Sequence, residues 1–258
     1  MAPMDATSAH NSLPFWQAQP LPQVSVHAFT ANDLNLKLAQ DIAQRLRDAM
    51  AARGVAVLSV SGGKSPIALF EALRVIDIDW SRVRITLVDE RCVPRSHPDS
   101  NALLVQTHLL QDLAAKAQLV FMVASTAAPL DTPATLAKAA SLALTAAGVA
   151  DVLVLGMGAD GHTASLFPDA PNLTDALDLR NTQTCVAIEL AHPPANAPYA
   201  RITQTLAQIL SARHIVLPLF GTDKLSTLQQ AWKQTTPALP ISCVLQQTQT
   251  PVALWLAN

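Results

Sequence analysis

An apolar run, Asp151-Val152-Leu153-Val154-Leu155, passes without a spacer into Gly156-Met157-Gly158-Ala159-Asp160-Gly161-His162-Thr163, and Pro168 closes the stretch. A short apolar run that ends in glycines reads as a buried strand leaving through a tight turn. The chain has only 8 Gly in 258 residues, well under the roughly 7% usual in globular proteins. Three of them in one turn therefore mark a place where the backbone must come close to something. An aspartate and a histidine in the same turn put titratable groups at that approach.

The rest of the chain repeats the strand-then-helix rhythm. A strand is expected over Val24 to Phe29, then an amphipathic helix whose apolar stripe is Leu34, Leu38, Ile42 and Leu46, ended by Gly54. Further strands are expected over Val55 to Val60, Arg84 to Val88, Leu119 to Val123, Thr184 to Glu189 and Ala212 to Phe220, with an edge strand over Pro251 to Leu256. Helices are expected from Pro66 through Leu73, Asn101 to Leu110, Thr135 to Ala147 (closed by Gly148), Thr203 to Leu210 and Thr222 to Trp232. Strands that are apolar throughout and alternate with helices predict an α/β fold: a single Rossmann-like domain whose largely parallel sheet is covered by helices on both faces. Residues 1–22 carry Pro3, Pro14, Pro20 and Pro22 with little periodicity and read as an irregular arm, leaving 23–258 as one α/β domain.

Composition excludes several function classes. Half of the residues are hydrophobic, 14% are charged and the net charge is −2 with no basic run, which argues against a nucleic-acid groove or an anionic membrane surface. The start of the chain has no basic segment followed by an apolar one, and no apolar stretch approaches the roughly 18 residues of a membrane span. A cytoplasmic protein is expected. Cys92, Cys185 and Cys243 are scattered without metal-ligand spacing, so no metal is expected. Trp16, Trp80, Trp232 and Trp255 are too dispersed for a stacking platform, and His97, His108, His192 and His214 have no supporting spacing.

In parallel sheets, ligands bind beyond the carboxyl ends of the strands. The unusual polar clusters, 61–66, 89–101, 156–165 and 221–224, all fall just after expected strands, so four loops on one rim can share one site. Two glycine motifs mislead. Gly63-Lys64-Ser65 ends like a nucleotide P-loop, but the glycine required five residues earlier is Leu58. Gly156-x-Gly158-x-x-Gly161 matches the dinucleotide fingerprint, yet Pro168 and Pro171 stop the helix that should follow, and Asp160 would face the pyrophosphate. What remains at 61–65 is a run of backbone N–H groups and a hydroxyl that suits a phosphate monoester. Lys64 either adds charge there or points to solvent, and a plain strand-to-helix turn is the bland alternative.

Taken in series, Ser61-Gly62-Gly63-Lys64-Ser65-Pro66, Val88-Asp89-Glu90-Arg91-Cys92-Val93-Pro94, Ser100-Asn101, Gly156 to Pro168, Arg201-Ile202-Thr203 and Gly221-Thr222-Asp223-Lys224 resemble the 6-phosphogluconolactonase branch of the glucosamine-6-phosphate isomerase/6-phosphogluconolactonase family, over about residues 25 to 255. The resemblance implies hydrolysis of 6-phospho-D-glucono-1,5-lactone in the oxidative pentose phosphate pathway, without metal or organic cofactor. It implies that His162 is catalytic with Asp160 beside it, and that Gly62, Gly63, Ser65, Arg201 and Lys224 surround the substrate phosphate; Lys64, in the same turn, joins them as a candidate. Asp89, Arg91, Asn101 and Gly158 fall on further active-site positions. Of the neighbouring carboxylates, Asp89 is expected in the site and Glu90 in a structural role. The implied partner is a small sugar-phosphate lactone, with a monomer or small homo-oligomer as the assembly.

Two alternatives belong beside this reading. The deaminase branch carries a stretch like His-Ile-Ala-Phe-Asn-Glu-Pro, whose glutamate partners the histidine in ring opening. Here Phe167 stands in that place, and Arg91 replaces the tyrosine expected after Asp-Glu. A non-catalytic sugar-phosphate sensor would need a DNA-binding helix-turn-helix, which the proline-rich arm is too short to provide. With no Gly-x-Ser-x-Gly elbow, direct water attack assisted by His162 is expected, with backbone N–H groups or Arg91 facing the oxyanion.

Overall fold

The computed structural model describes residues 14–190 and 198–257. Its elements in chain order are α1 (Phe15–Ala18), β1 (Val24–Phe29), α2 (Ala31–Arg53), β2 (Ala56–Val60), α3 (Ile67–Leu73), β3 (Val83–Leu87), β4 (Asp89–Arg91), α4 (Asn101–His108) and β5 (Gln118–Leu119). There follow α5 (Pro133–Ala147), β6 (Val152–Val154), α6 (Leu173–Leu177), β7 (Cys185–Ile188), β8 (Arg201–Gln204), α7 (Leu206–Leu210), β9 (Ile215–Phe220), α8 (Leu225–Ala231), α9 (Ile241–Leu245) and β10 (Val252–Ala257).

Seven strands form one sheet in the order β1-β10-β9-β6-β2-β3-β5, every pair parallel. Alternate side chains of its strands feed two separate apolar cores. Leu58, Val60, Val152, Val154 and Val216 face the core built with α2, α3 and α5. Val57, Leu153, Leu155, Ile215 and Leu217 face the one built with α6 to α9. The expected parallel sheet covered on both faces is what forms. At one end of it Asp151 is buried and accepts the Val57 N–H at 2.8 Å while pairing with Arg53 and Arg213, which ties β2, β6 and β9 together.

Four details differ from the sequence reading. Residues 201–204 are strand β8, so the helix expected from Thr203 to Leu210 starts only at Leu206, where Thr205 caps it. Strand β7 does not join the main sheet; it pairs antiparallel with β8, which pairs antiparallel with β4, giving a second three-stranded sheet. The strand expected over Leu119 to Val123 shrinks to Gln118–Leu119. Finally, β10 is no edge strand: it lies between β1 and β9, bonded on both sides. Within the arm expected to be irregular, Phe15–Ala18 forms one helical turn, and Phe15 meets the Trp232 ring edge-on at 5.5 Å. Residues 1–13 of that arm, and His192, lie outside the described residues.

His214, just before β9, packs near Arg45 and Asp41 of α2 and His27 of β1, and burial is the main cause that pushes its imidazole down from 6.5 to about 4. The folded state therefore favours neutral His214, while the unfolded chain takes up a proton below 6.5. The resulting stability is fully present above pH 6.5 and is lost as pH falls toward 4. Thermal midpoints measured from pH 7 to 4.5 should fall more steeply for the native chain than for H214Q; parallel curves would remove His214 from the account.

Candidate active site

The carboxyl ends of β2 and β6 lie side by side, and Ser61 locks their loops together. Its hydroxyl donates to the Val154 carbonyl at 3.0 Å and accepts the Gly156 N–H at 3.1 Å. Around that junction opens a cavity of about 350 Å³, within the size range of small-molecule sites. All four expected loops reach it: 61–66 with Ser61, Gly62, Gly63 and Ser65; 89–101 with Asp89, Arg91 and Asn101; 156–165 with Gly156, Gly158 and His162; and 221–224 with Lys224. Arg201 reaches it from β8.

His162 owes its position to a compact loop. The Gly158 N–H donates to the His162 carbonyl at 2.9 Å, and the Gly161 N–H to the Gly158 carbonyl at 3.1 Å. Outside supports hold that loop: Thr227 Oγ1 donates to the Ala159 carbonyl at 2.7 Å, and the Ile241 N–H to that of Gly161 at 3.0 Å. Gly161 adopts φ 78°, in the left-handed region where glycine is favoured. Gly158 is required for a different reason. A Cβ there would lie 2.2 Å from His162 Nδ1 and 2.5 Å from Asp160 Oδ1. The glycine thus makes room for the Asp160–His162 pair.

That pair is the chemical centre of the loop. Asp160 Oδ1 lies 2.6 Å from His162 Nδ1 and also accepts the His162 N–H at 3.1 Å. The hydrogen bond from His162 holds the Asp160 carboxyl below its usual range, so it is ionised and can only accept. Nδ1 must then carry the proton, which leaves the Nε2 lone pair free in the neutral ring. Asp160 itself does not line the cavity; its contact His162 does.

On the other side stands a buried polar network. Asp89, 6% exposed, accepts Ser165 Oγ at 2.5 Å and Asn101 Nδ2 at 3.4 Å. Burial lowers the Arg201 pKa, and the nearby Asp89 charge opposes that shift. Arg91 donates to the Asp99 carbonyl. Arg91 Nε and Asn101 Oδ1 are buried with no hydrogen-bond partner among the described residues. Such atoms in a native site need an explanation, and a bound polar ligand supplies one. Glu90 lies outside the cavity lining: burial pushes its carboxyl up, while the N–H groups of Asn101, Ala102 and Arg91 and the Ser100 hydroxyl pull it back.

Of the expected site residues, Lys64 alone is placed away from both the cavity and its supports. Its side chain is exposed, and its carbonyl accepts the Ile67 N–H at 3.3 Å to start the turn into α3. Of the two positions the sequence left open for it, this is the one toward solvent. Sequence reasoning missed Ser165, which orients Asp89, and Thr203, whose hydroxyl receives the Ser165 N–H at 3.2 Å. Both were discoverable, since Ser165 sits inside the quoted motif around His162 and Thr203 inside Arg201-Ile202-Thr203, although Thr203 was also assigned to a helix. Among the described residues no cluster of three His, Cys, Asp or Glu could hold a metal ion, and no helix is long and apolar enough to cross a membrane.

The family model for glucosamine-6-phosphate isomerases/6-phosphogluconolactonase matches residues 30–255. A 6-phosphogluconolactonase of Pseudomonas putida is 46% identical over 209 residues, covering 81% of this chain and 83% of that protein. One of Pseudomonas aeruginosa is 45% identical, covering 75% of this chain and 79% of that protein. The crystal structure of a 6-phosphogluconolactonase from Shewanella baltica superposes with a TM-score of 0.83 at 39% identity, covering 92% of this chain and 99% of that one. With that extent of match, on a fold of the same architecture, the chain belongs to the glucosamine-6-phosphate isomerase/6-phosphogluconolactonase family.

Proposed function

We propose that the chain hydrolyses 6-phospho-D-glucono-1,5-lactone to 6-phospho-D-gluconate, with His162 as general base. The observation that carries the mechanism is the 2.6 Å Asp160–His162 contact at the cavity wall. Neutral Nε2 takes a proton from water as the water oxygen bonds to the lactone carbonyl carbon. The tetrahedral oxyanion is met by Arg91 or by backbone N–H groups of the glycine loop. The carbonyl carbon–ring oxygen bond then breaks, and His162 returns its proton to the departing oxygen. Water is added across the ester, and the new carboxyl group ionises into solvent.

The phosphate is held by Arg201, Lys224 and the turn formed by Gly62, Gly63 and Ser65, all of which line the same cavity. The deaminase reaction is disfavoured because Phe167, whose ring stacks on His162, stands where that branch carries its ring-opening glutamate. The enzyme works in the cytoplasm as a monomer or small homo-oligomer. Its partner is the sugar-phosphate lactone, and its slight net negative charge is unsuited to nucleic acid or anionic membrane.

Freshly generated lactone tests the reaction: its decay should be accelerated well above the spontaneous rate, and no acceleration would overturn the reading. K224A should raise KM about tenfold with little change in kcat, as expected for one charge-assisted phosphate contact. An unchanged KM would move Lys224 to the solvent surface.

A further inference from the structure

Phe167 matters above for the carboxylate it replaces, but the structure gives its ring a position. Its centroid lies 4.5 Å from that of the His162 imidazole, with the planes inclined by 30°. The Arg201 guanidinium carbon lies 5.5 Å from the same centroid. One aromatic ring therefore touches both the base and a cation assigned to phosphate binding, and it lines the cavity between the loops that carry them.

The backbone that delivers this ring is fixed on every side. The Ser165 N–H donates to Thr203 Oγ1 at 3.2 Å, and the Ser165 hydroxyl to Asp89 at 2.5 Å. The Leu166 N–H donates to the Thr163 carbonyl at 2.9 Å, and Leu166 is fully buried. Just past the ring, the Ala170 N–H donates to the Phe167 carbonyl at 3.1 Å. Ala164 adopts φ 51°, a conformation held there by these contacts.

The base has a weaker anchor. Asp160 grips one edge atom of the imidazole, and its own side chain is 51% exposed. A single bond at Nδ1 fixes which nitrogen carries the proton but still lets the ring rock about that bond. Contact with the face of the ring removes that remaining freedom, and offset stacking supplies such contact. We propose that Phe167 is a positioning residue that holds the His162 ring in plane, so that Nε2 stays aimed at the attacking water. This rests on the assignment of His162 as general base.

The experiment measures kcat, KM and thermal midpoint for F167L and F167Y, and for F167L combined with H162N. F167M replaces F167L if the latter folds poorly, since it also fills the space without a planar ring. The expected result is a kcat about tenfold lower in F167L, less than the roughly 10²-fold that a 1 Å misplacement can cost. KM should stay within about twofold, because the loss lies in the chemical step. F167Y keeps the face and should restore kcat to within about twofold. In the double variant the losses should not add, since with no imidazole there is nothing left to aim.

An unchanged kcat with a lowered thermal midpoint would make Phe167 a packing residue only. A loss carried by KM would assign it to Arg201 instead. F167Y as slow as F167L, or full additivity with H162N, would equally overturn the proposal. Wild-type turnover by H162N alone would overturn the base assignment itself, an outcome separable from all of these.

Discussion

H162N should lower kcat by roughly 10² to 10⁴-fold, the range that positioned general acid–base catalysis supplies. Asparagine can still reach toward Asp160, but it cannot carry a proton from water to the departing ring oxygen. The fold should tolerate the change. The Asp160 side chain is 51% exposed and that of His162 32%, so breaking their pair leaves a carboxylate that water can solvate rather than an orphaned buried charge. The thermal midpoint should stay within about 3 °C, because surface-accessible substitutions usually move stability by no more than about 0.5 kcal/mol. The check is the initial rate of lactone decay, corrected for the spontaneous reaction, beside a melting curve. Near-native turnover would remove His162 from the mechanism.

The largest loss of stability should come from E90A. Glu90 is 1% exposed. Its carboxyl oxygens receive the N–H groups of Arg91 at 2.8 Å, Asn101 at 2.7 Å and Ala102 at 2.8 Å, and the Ser100 hydroxyl at 3.0 Å. Truncation leaves three backbone donors in a dry space, each costing roughly 1–3 kcal/mol if unsatisfied, partly offset by water entering the vacated volume. A net loss of about 3–5 kcal/mol is expected, or a fall of roughly 10 °C in midpoint for a chain of this size. Activity should fall as well, because Asn101 is anchored by its N–H to Glu90 while its side chain donates to the Asp89 carbonyl at 2.9 Å. Denaturant unfolding measures the first effect; a change below about 1 kcal/mol would mean that the donors find other partners.

The parallel sheet was readable because its strands are uniformly apolar and separated by periodic helices: Ala56–Val60 and Val152–Val154 are buried at every position. The second sheet was not, for a physical reason. Arg201-Ile202-Thr203-Gln204 has two polar ends and lies directly before the Thr205 cap, so local pattern alone merged its Thr203-Gln204 half into the following helix. Its burial comes from tertiary contacts, as when Gln204 Nε2 donates to the Leu87 carbonyl at 2.9 Å. Chain order also does not reveal sheet order, which is why β10 was expected at an edge.

The site was legible where backbone geometry forces residue choice. Gly158 under the His162 ring and Gly63 at φ 86° are positions where a side chain is excluded or strained, and the scarcity of glycine made them visible. Lys64 shares that turn but is exposed and outside the cavity lining, since neighbouring residues in a turn point in different directions. Ser165 and Phe167 escaped a role because a hydroxyl and a phenyl ring in an apolar stretch look like packing until their partners Asp89 and His162 are in view.

Among the described residues, β1 pairs within the large sheet only with β10, residue by residue from Val24 opposite Val252 to Phe29 opposite Ala257. The first described strand can therefore join the sheet only once the tenth is in place. Without β10, β1 has no neighbour in that sheet, and β9, whose other neighbour is β6, presents a bare edge. β10 thus links the first described strand to the rest of the sheet, and a variant lacking Val252–Ala257 would uncouple β1 from β9 in one step.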